Sequence, residues 1–302
     1  MQDEAPTIGF IGLGVMGSPM CRNMADKYDG RVIAFDLESA AVATLEDTSA
    51  EPGQTIADVA ENANVIFLSL PGGTQVEAVC RALLPVARRG STIVDLSTTS
   101  VADARNVGRM LHSAELQFAD APVARTREAA QRGELSIMVG ADHVVFSRIR
   151  PMLDMIGSDV THCGDIGAGQ VVKLVNNMLV FTHTAVLAEM MVLAERAGVE
   201  PAKLLDAVSK GSGDSFVLRN HGMKAMLPRV FPDKAFPPSY VLKDIGYVLE
   251  LANDQDLEPH IAALVRRYYE TAEAEGLSAK YFPSVIEIVE KGGLGALLPP
   301  NR

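Results

Sequence analysis

The sequence contains no tryptophan and three cysteines, and aromatic residues make up only 5% of its 302 positions. Cys21, Cys80 and Cys163 are odd in number and widely spaced. They do not form a disulfide framework or a metal-binding motif, and they fit a reducing cytoplasm. His162 adjoins Cys163, but no cysteine stands in a Cys–His pattern that would mark it as a nucleophile. Basic residues are outnumbered, with 27 Lys and Arg against 38 Asp and Glu, for a net charge of −11. That balance argues against nucleic acid or an anionic membrane as a partner. An anionic substrate would need a local cation to hold it against this field. No unbroken run of about 18 apolar residues occurs, so no membrane span is expected. The start, Met-Gln-Asp-Glu-Ala-Pro, carries no signal-peptide pattern, and a cytoplasmic location is expected. No cluster of His, Cys and carboxylates has ligand spacing, so no metal is expected.

What is present is ordinary globular material, 48% apolar and 22% charged, long enough for two domains. The first half alternates short β-branched runs with helical segments. Strands are expected at 7–11, 31–36, 65–70, 92–95, 117–121, 135–139 and 159–162. Helices fit between them at 15–27, 39–45, 55–60, 74–84, 101–113 and 142–155, the last capped by Asp142. Such alternation implies a parallel, doubly wound α/β sheet. In the second half strand signals vanish. A long apolar helix over 171–197 closes at Gly198, and Pro201 opens the next. Further helices are expected at 216–226, 241–253, 258–275 and 283–291. The expected domains are 1–163, of Rossmann type, and 164–302, all-helical. The second is opened by an interdomain helix at about 170–197, long enough to be shared with a second subunit.

Gly12-Leu13-Gly14-Val15-Met16-Gly17 follows the first expected strand and opens a helix. The first glycine permits the tight turn, the second admits a pyrophosphate to the backbone, and the third lets helix and strand pack. A second strand ends in Asp36, 19 residues after Gly17. A carboxylate there accepts hydrogen bonds from an adenosine ribose and repels a 2′-phosphate. Leu37 and Glu38 follow, with no arginine to receive that phosphate, so NAD is favoured over NADP. Two more strand ends, Leu70-Pro71-Gly72-Gly73 and Asp95-Leu96-Ser97-Thr98-Thr99, would line the same crevice. By residue type alone they read as turn chemistry plus a helix N-cap.

The most informative segment is Gly164-Asp-Ile-Gly167-Ala-Gly169-Gln-Val-Val-Lys173-Leu-Val-Asn-Asn177. Residues at i and i+4 share a helix face, so Lys173 and Asn177 point into one space. Beside a nicotinamide, such a lysine suits proton transfer. The competing readings are a lysine whose stem covers apolar surface, and a buried asparagine amide satisfied by backbone.

Four blocks together resemble the β-hydroxyacid dehydrogenase family over nearly the whole chain. They are Gly12–Gly17; Asp120-Ala-Pro122-Val123 with Ala130, Gly133, Leu135 and Gly140; Gly164–Asn177; and Lys243-Asp244. The resemblance implies a 6-phosphogluconate dehydrogenase-like fold, with Lys173 as catalytic acid/base and Asn177 positioning substrate. It also implies that Lys243 lies near cofactor and substrate, and that Leu70, Pro71, Ser97 and Thr98 join Gly12, Leu13, Gly14, Val15, Met16 and Asp36 around the dinucleotide. The helical domain would mediate formation of a homodimer or homotetramer. Members commonly read Asp-Ala-Pro-Val-Ser-Gly-Gly, the serine and glycines cradling a substrate carboxylate. Here the run is Asp120-Ala121-Pro122-Val123-Ala124-Arg125-Thr126-Arg127, which is similar to sulfolactaldehyde reductases. Val123, Ala124, Arg125 and Thr126 are expected to hold substrate, with Arg125 clamping a carboxylate, sulfonate or phosphate. Arg127 reads as a solvated charge. Lys243 on residue type alone pairs with Asp244 or Asp214.

The expected activity is hydride transfer between a nicotinamide and the carbon of a small anionic β-hydroxyacid, or hydroxy-sulfonate, and its aldehyde. Burial and a positive nicotinamide would bring the lysine down from an ordinary pKa of about 10.4. The alternatives are an inactive cofactor-binding scaffold of the same fold and an imine-type reductase. Lys173 argues against both.

Overall fold

The computed structural model describes residues 5–233 and 235–294. The chain divides into two compact units between Lys173 and Leu174. The first unit runs β1 (Ile8–Ile11), α1 (Gly17–Lys27), β2 (Val32–Phe35), α2 (Ser39–Ala43), β3 (Glu51–Pro52), α3 (Ile56–Asn62), β4 (Val65–Leu68), α4 (Gly73–Leu83), β5 (Thr92–Asp95) and α5 (Val101–His112). It continues with β6 (Gln117–Asp120), β7 (Val123–Ala124), α6 (Arg127–Arg132), β8 (Leu135–Gly140), α7 (His143–Leu153) and β9 (Gly157–Gly164).

Strands β3, β2, β1, β4, β5 and β6 lie side by side, all parallel. Strand β8 then reverses, pairing antiparallel with β6 at Asp120–Gly140 and with β7 at Val123–Ile137; β9 runs parallel to β8. The doubly wound parallel sheet is thus present over six strands, with an antiparallel edge added to it. The reason is local: Pro122 and the Val123–Arg132 segment turn the chain back directly, without the long crossover that a parallel neighbour needs.

Alternate residues of the strands enter two cores. Phe10, Val65 and Phe67 pack with Met20 and Met24 of α1 and with Ile149 of α7. Ile11, Ile66, Leu68 and Ile93 pack with Val59, Cys80 and Leu111 of α3, α4 and α5. Strands buried on both faces read as continuous apolar runs, and the helices on both faces make the sheet doubly wound. Each large side chain taken fully out of water in these layers contributes about 1.5–3 kcal/mol. Asp142 caps α7 as expected, accepting from Val144 N and Val145 N at 2.9 and 2.8 Å.

Helix α8 (Ala168–Arg196, 29 residues) starts at the end of the first unit and continues into the second. The second unit adds α9 (Pro201–Val208), a π-helical stretch Leu218–Met226, α10 (Pro238–Asp254), α11 (His260–Ala274), a 3₁₀ turn Phe282–Val285 and α12 (Ile286–Glu290). Its core joins Phe181, Ala185, Ala188 and Met191 of α8 to Leu218, Val241, Ile245, Tyr269 and Phe282. Gly198, with φ +87°, follows α8 in the left-handed conformation expected of a C′ residue. By length and composition α8 is apolar enough to cross a membrane, which uninterrupted runs did not suggest because Lys173, Asn176 and Asn177 break them. One face of it is core in the second unit.

Candidate active site

The carboxyl ends of β1, β2, β4 and β5 are in register, with Ile11 opposite Phe35 and Leu68, and Leu68 opposite Asp95. The residues expected to bind cofactor follow these ends. In the β1–α1 turn the three glycines divide their tasks. A Cβ on Gly12 (φ +96°) would stand 2.3 Å from Ser69 O, and one on Gly17 would stand 2.0 Å from Gly12 O. Both are needed by the fold itself. A Cβ on Gly14 would meet nothing within 4 Å. Helix α1 has no side-chain cap, and the N–H groups of Gly14, Val15 and Met16 donate to nothing among the described residues. Open space over unused donors at a helix start suits a phosphate group. The residues present therefore fit a dinucleotide. The turn also borders a cavity of about 450 Å³ lined by Leu13, Gly14, Val15, Arg22 and Arg127.

Asp36 fastens this turn as well as facing it. Its Oδ2 accepts from Leu13 N at 2.6 Å and its Oδ1 from Glu38 N at 2.9 Å. Each carboxylate oxygen has a second lone pair, so a ribose hydroxyl still has an acceptor. Ser97 is buried, and its Oγ accepts from Leu70 N at 2.9 Å, which joins the loops after β4 and β5. Its hydroxyl hydrogen is left for another acceptor. Pro71 is exposed beside Leu70, and Thr98 is half-buried beside Ser97.

Asp120, at the end of β6, explains why glycines cluster before Lys173. It accepts from Gly167 N at 2.6 Å and Gln170 N at 2.8 Å, capping the start of α8. A Cβ on Gly140 would lie 2.4 Å from Asp120 Oδ1, and one on Gly169 would lie 2.8 Å from Oδ2. Burial pushes the Asp120 carboxyl up to about 6, against the pull of its backbone hydrogen bonds. Residue type alone gives Asp120 no such role; a lone carboxylate ending an apolar strand, with three glycines upstream of a helix, was the available signal.

Lys173 lies on the second turn of α8 and is only 8% exposed. Asn177, one turn further on, is 7% exposed and donates from Nδ2 to Asp244 Oδ2 at 2.7 Å. Asp244, 1% exposed, also lies 3.3 Å from Lys243 Nζ. That ammonium stands over the rings of Tyr240 and Tyr247, 5.7 and 5.4 Å from their centres. In the second unit the structure thus ties Asn177, Asp244 and Lys243 of α8 and α10 into one polar group.

Arg125, expected to clamp an anion, is engaged by groups of the protein itself. Its guanidinium donates to Glu134 O at 2.5 Å, Ser158 Oγ at 2.7 Å and Asp159 Oδ2 at 2.6 Å. Its side chain laces the Val123–Thr126 segment to Glu134, just before β8, and to β9. The planar guanidinium presents its donors in a fork, so the Glu134 carbonyl, the Ser158 hydroxyl and the Asp159 carboxylate engage it together. The backbone at Arg125 nevertheless has φ +89°, a conformation that favours glycine. Thr126 caps α6 through its Oγ1, and Val123 and Ala124 form β7. The thiols of Cys21 and Cys80 are buried, and burial pushes Cys21 up to about 12, so neither is a nucleophile.

The model of the NAD-binding domain of 6-phosphogluconate dehydrogenase matches residues 7–164, more than half the chain. That of the NAD-binding part of NADP-dependent 3-hydroxyisobutyrate dehydrogenase matches residues 167–289. The chain is 34% identical over 296 residues to 2-(hydroxymethyl)glutarate dehydrogenase of Eubacterium barkeri, covering 96% of each chain. It belongs to the β-hydroxyacid dehydrogenase family. As a member of that family it is an oxidoreductase dependent on a nicotinamide dinucleotide. It is also 30% identical to 2-hydroxy-3-oxopropionate reductase of Escherichia coli K12, covering 94% of this chain and 97% of that one. The solved structure of Mycobacterium tuberculosis 3-hydroxyisobutyrate dehydrogenase with L-serine superposes with a TM-score of 0.83 at 27% identity, covering 94% of this chain and 99% of that one.

Proposed function

We propose that this family member interconverts a short β-hydroxycarboxylate and its semialdehyde, with NAD as cofactor and Lys173 as general acid/base. The observation that carries the reading is a nearly buried lysine on a helix whose first turn is capped by Asp120 and hydrogen-bonded to the loop after β5. The names of the three relatives support the substrate class, since each is a short carboxylate or amino acid bearing a hydroxyl or oxo group. The carboxylates in those names favour a carboxylate over a sulfonate. Asp36, followed by Leu37 and Glu38, favours NAD over NADP.

The dinucleotide, when bound, supplies or accepts the hydride. Lys173 gives a proton to the developing alkoxide in reduction and takes it from the hydroxyl in oxidation, a contribution of about 10² to 10⁴ in rate. Asn177, held by Asp244, presents its amide to the same oxygen or a neighbouring one. The backbone of Val123–Thr126, shaped by the left-handed Arg125, holds the carboxylate, and Lys243 adds a cation. Val172, Val175, Leu179, Val186, Met190 and Leu193 of α8 are exposed, and we include a homodimer or homotetramer in the proposal on that stripe. The three free thiols keep a cytoplasmic location in this reading.

The test is absorbance at 340 nm with NADH or NADPH and a panel of short semialdehydes and hydroxyacids. Oxidation of NADH by at least one semialdehyde carboxylate is expected. Tight NADH binding with no turnover on any member would instead make the protein a cofactor-binding scaffold.

A further inference from the structure

Gln170 lies three residues before Lys173 on α8 and is fully buried. Both ends of its amide are used on the backbone of one loop. Nε2 donates to Ser97 O at 2.9 Å, and Oε1 accepts from Thr99 N at 3.1 Å. A primary amide offers a donor and an acceptor side by side, so it pairs with a peptide segment as a strand would. Its backbone N–H, as described above, donates to Asp120. Ser97 in turn gives its N–H to Asp95 Oδ1 at 2.9 Å and receives Leu70 N on its hydroxyl. The loops after β4 and β5 and the first turn of α8 are therefore one hydrogen-bonded assembly, with Gln170 at its junction.

We infer that Gln170 is a positioning residue that fixes the 97–99 loop, and with it the cofactor, relative to Lys173. The inference rests on the proposed role of Lys173 for its effect on turnover, and on the loop alone for its effect on cofactor binding. A flexible lysine reaches a reacting oxygen productively only if the ring beside it is held within about 1 Å, and such a misplacement costs on the order of 10²-fold in rate. Gln170 itself is buried with its amide committed to the loop, so it acts through Ser97 and Thr99.

The experiment compares Gln170→Glu and Gln170→Met in the full-length enzyme. It measures NADH affinity by fluorescence titration, single-turnover rate and melting temperature from pH 5 to 9. A glutamate keeps the acceptor for Thr99 N–H. When ionised it loses the donor to Ser97 O, and when protonated it regains it. The charged and titratable groups around position 170 are Asp120 from β6, Asp95 from β5, Arg105 from α5 beside Gly167, and Lys173 on the same helix. All are common to wild type and variants, so the difference between curves isolates residue 170. We expect Gln170→Glu to bind NADH roughly tenfold more weakly at pH 8 and to turn over about 10²-fold more slowly. Both should recover toward wild type as pH falls and the new carboxyl protonates. Gln170→Met should stay impaired throughout. Wild-type behaviour in both variants overturns the inference. So does a Gln170→Glu defect that ignores pH and simply follows its loss of melting temperature. Repeating the NADH titrations in a Lys173→Met background separates this inference from the role proposed for the lysine. A pH-dependent NADH defect of Gln170→Glu that persists in that background supports the tether whatever the lysine does; its disappearance there overturns the tether.

Discussion

Gly12 and Gly14 stand two residues apart in one turn, yet a methyl group meets backbone at the first and open space at the second. Gly12→Ala should therefore destabilise the fold by more than about 2 kcal/mol, since the methyl strikes Ser69 O at a left-handed φ. Gly14→Ala should leave stability within about 0.5 kcal/mol but weaken NADH binding at least tenfold. Melting curves and fluorescence titration on the two variants check both halves; equal melting losses would refute the division of labour. The fingerprint itself was legible in the sequence because glycine spacing after a strand has few other uses. Arg125 was not. Its residue type suggested an anion, but Asp159 and Ser158, 34 and 33 positions away, take its guanidinium, and only the pairing of β8 with β9 brings them there. Gln170 carried no signal for the same reason: its partners lie 71 and 73 positions away.

Among the elements, the start of α8 depends on a single buried carboxylate. Burial raises Asp120 from 3.8 to about 6, while burial lowers His221, beside Tyr281 in the second unit, from 6.5 to about 4. Between pH 4 and 6 the folded chain holds a proton on Asp120 that the unfolded chain releases. This group's contribution to stability is therefore present at low pH and lost as pH rises through 6. His221 slopes the other way. The fold keeps its neutral form, so stability is lost as pH falls from 6.5 to about 4. Asp120→Asn removes the first slope and leaves the second. The stability difference between wild type and Asp120→Asn should therefore be larger at pH 4.5 than at pH 7, by at most about 2 kcal/mol. Urea unfolding at the two pH values measures it, and a pH-independent difference would contradict the assignment. Long elements were readable: the apolar strands and α8 emerged within a few residues. The two-residue β3 and β7 and the six-residue α6 were missed. Segments so short carry no periodicity, and sheet pairing or a Thr126 cap decides them.

For the molecule as a whole, a net charge of −11 keeps copies apart unless a specific surface offsets it. The exposed stripe from Val172 to Leu193 is the surface we propose for self-association. Leu179→Glu combined with Leu193→Glu should reduce the mass measured by light scattering to that of a monomer, 32.2 kDa, without lowering helix content. An unchanged oligomer mass would place the contact elsewhere, and a monomeric wild type would remove it. Charge also bears on catalysis, because an acidic chain gains nothing from long-range steering of a carboxylate and must rely on cations at the site. Lys173 is the cation on which the proposed chemistry turns. The most direct measurement is single-turnover oxidation of bound NADH by a semialdehyde substrate, wild type against Lys173→Met, with NADH affinity measured on the same samples. Unchanged NADH affinity and a rate lower by about 10² to 10⁴ are expected. A Lys173→Met enzyme that binds NADH and transfers hydride at the wild-type rate would contradict a role for this amine in moving the proton.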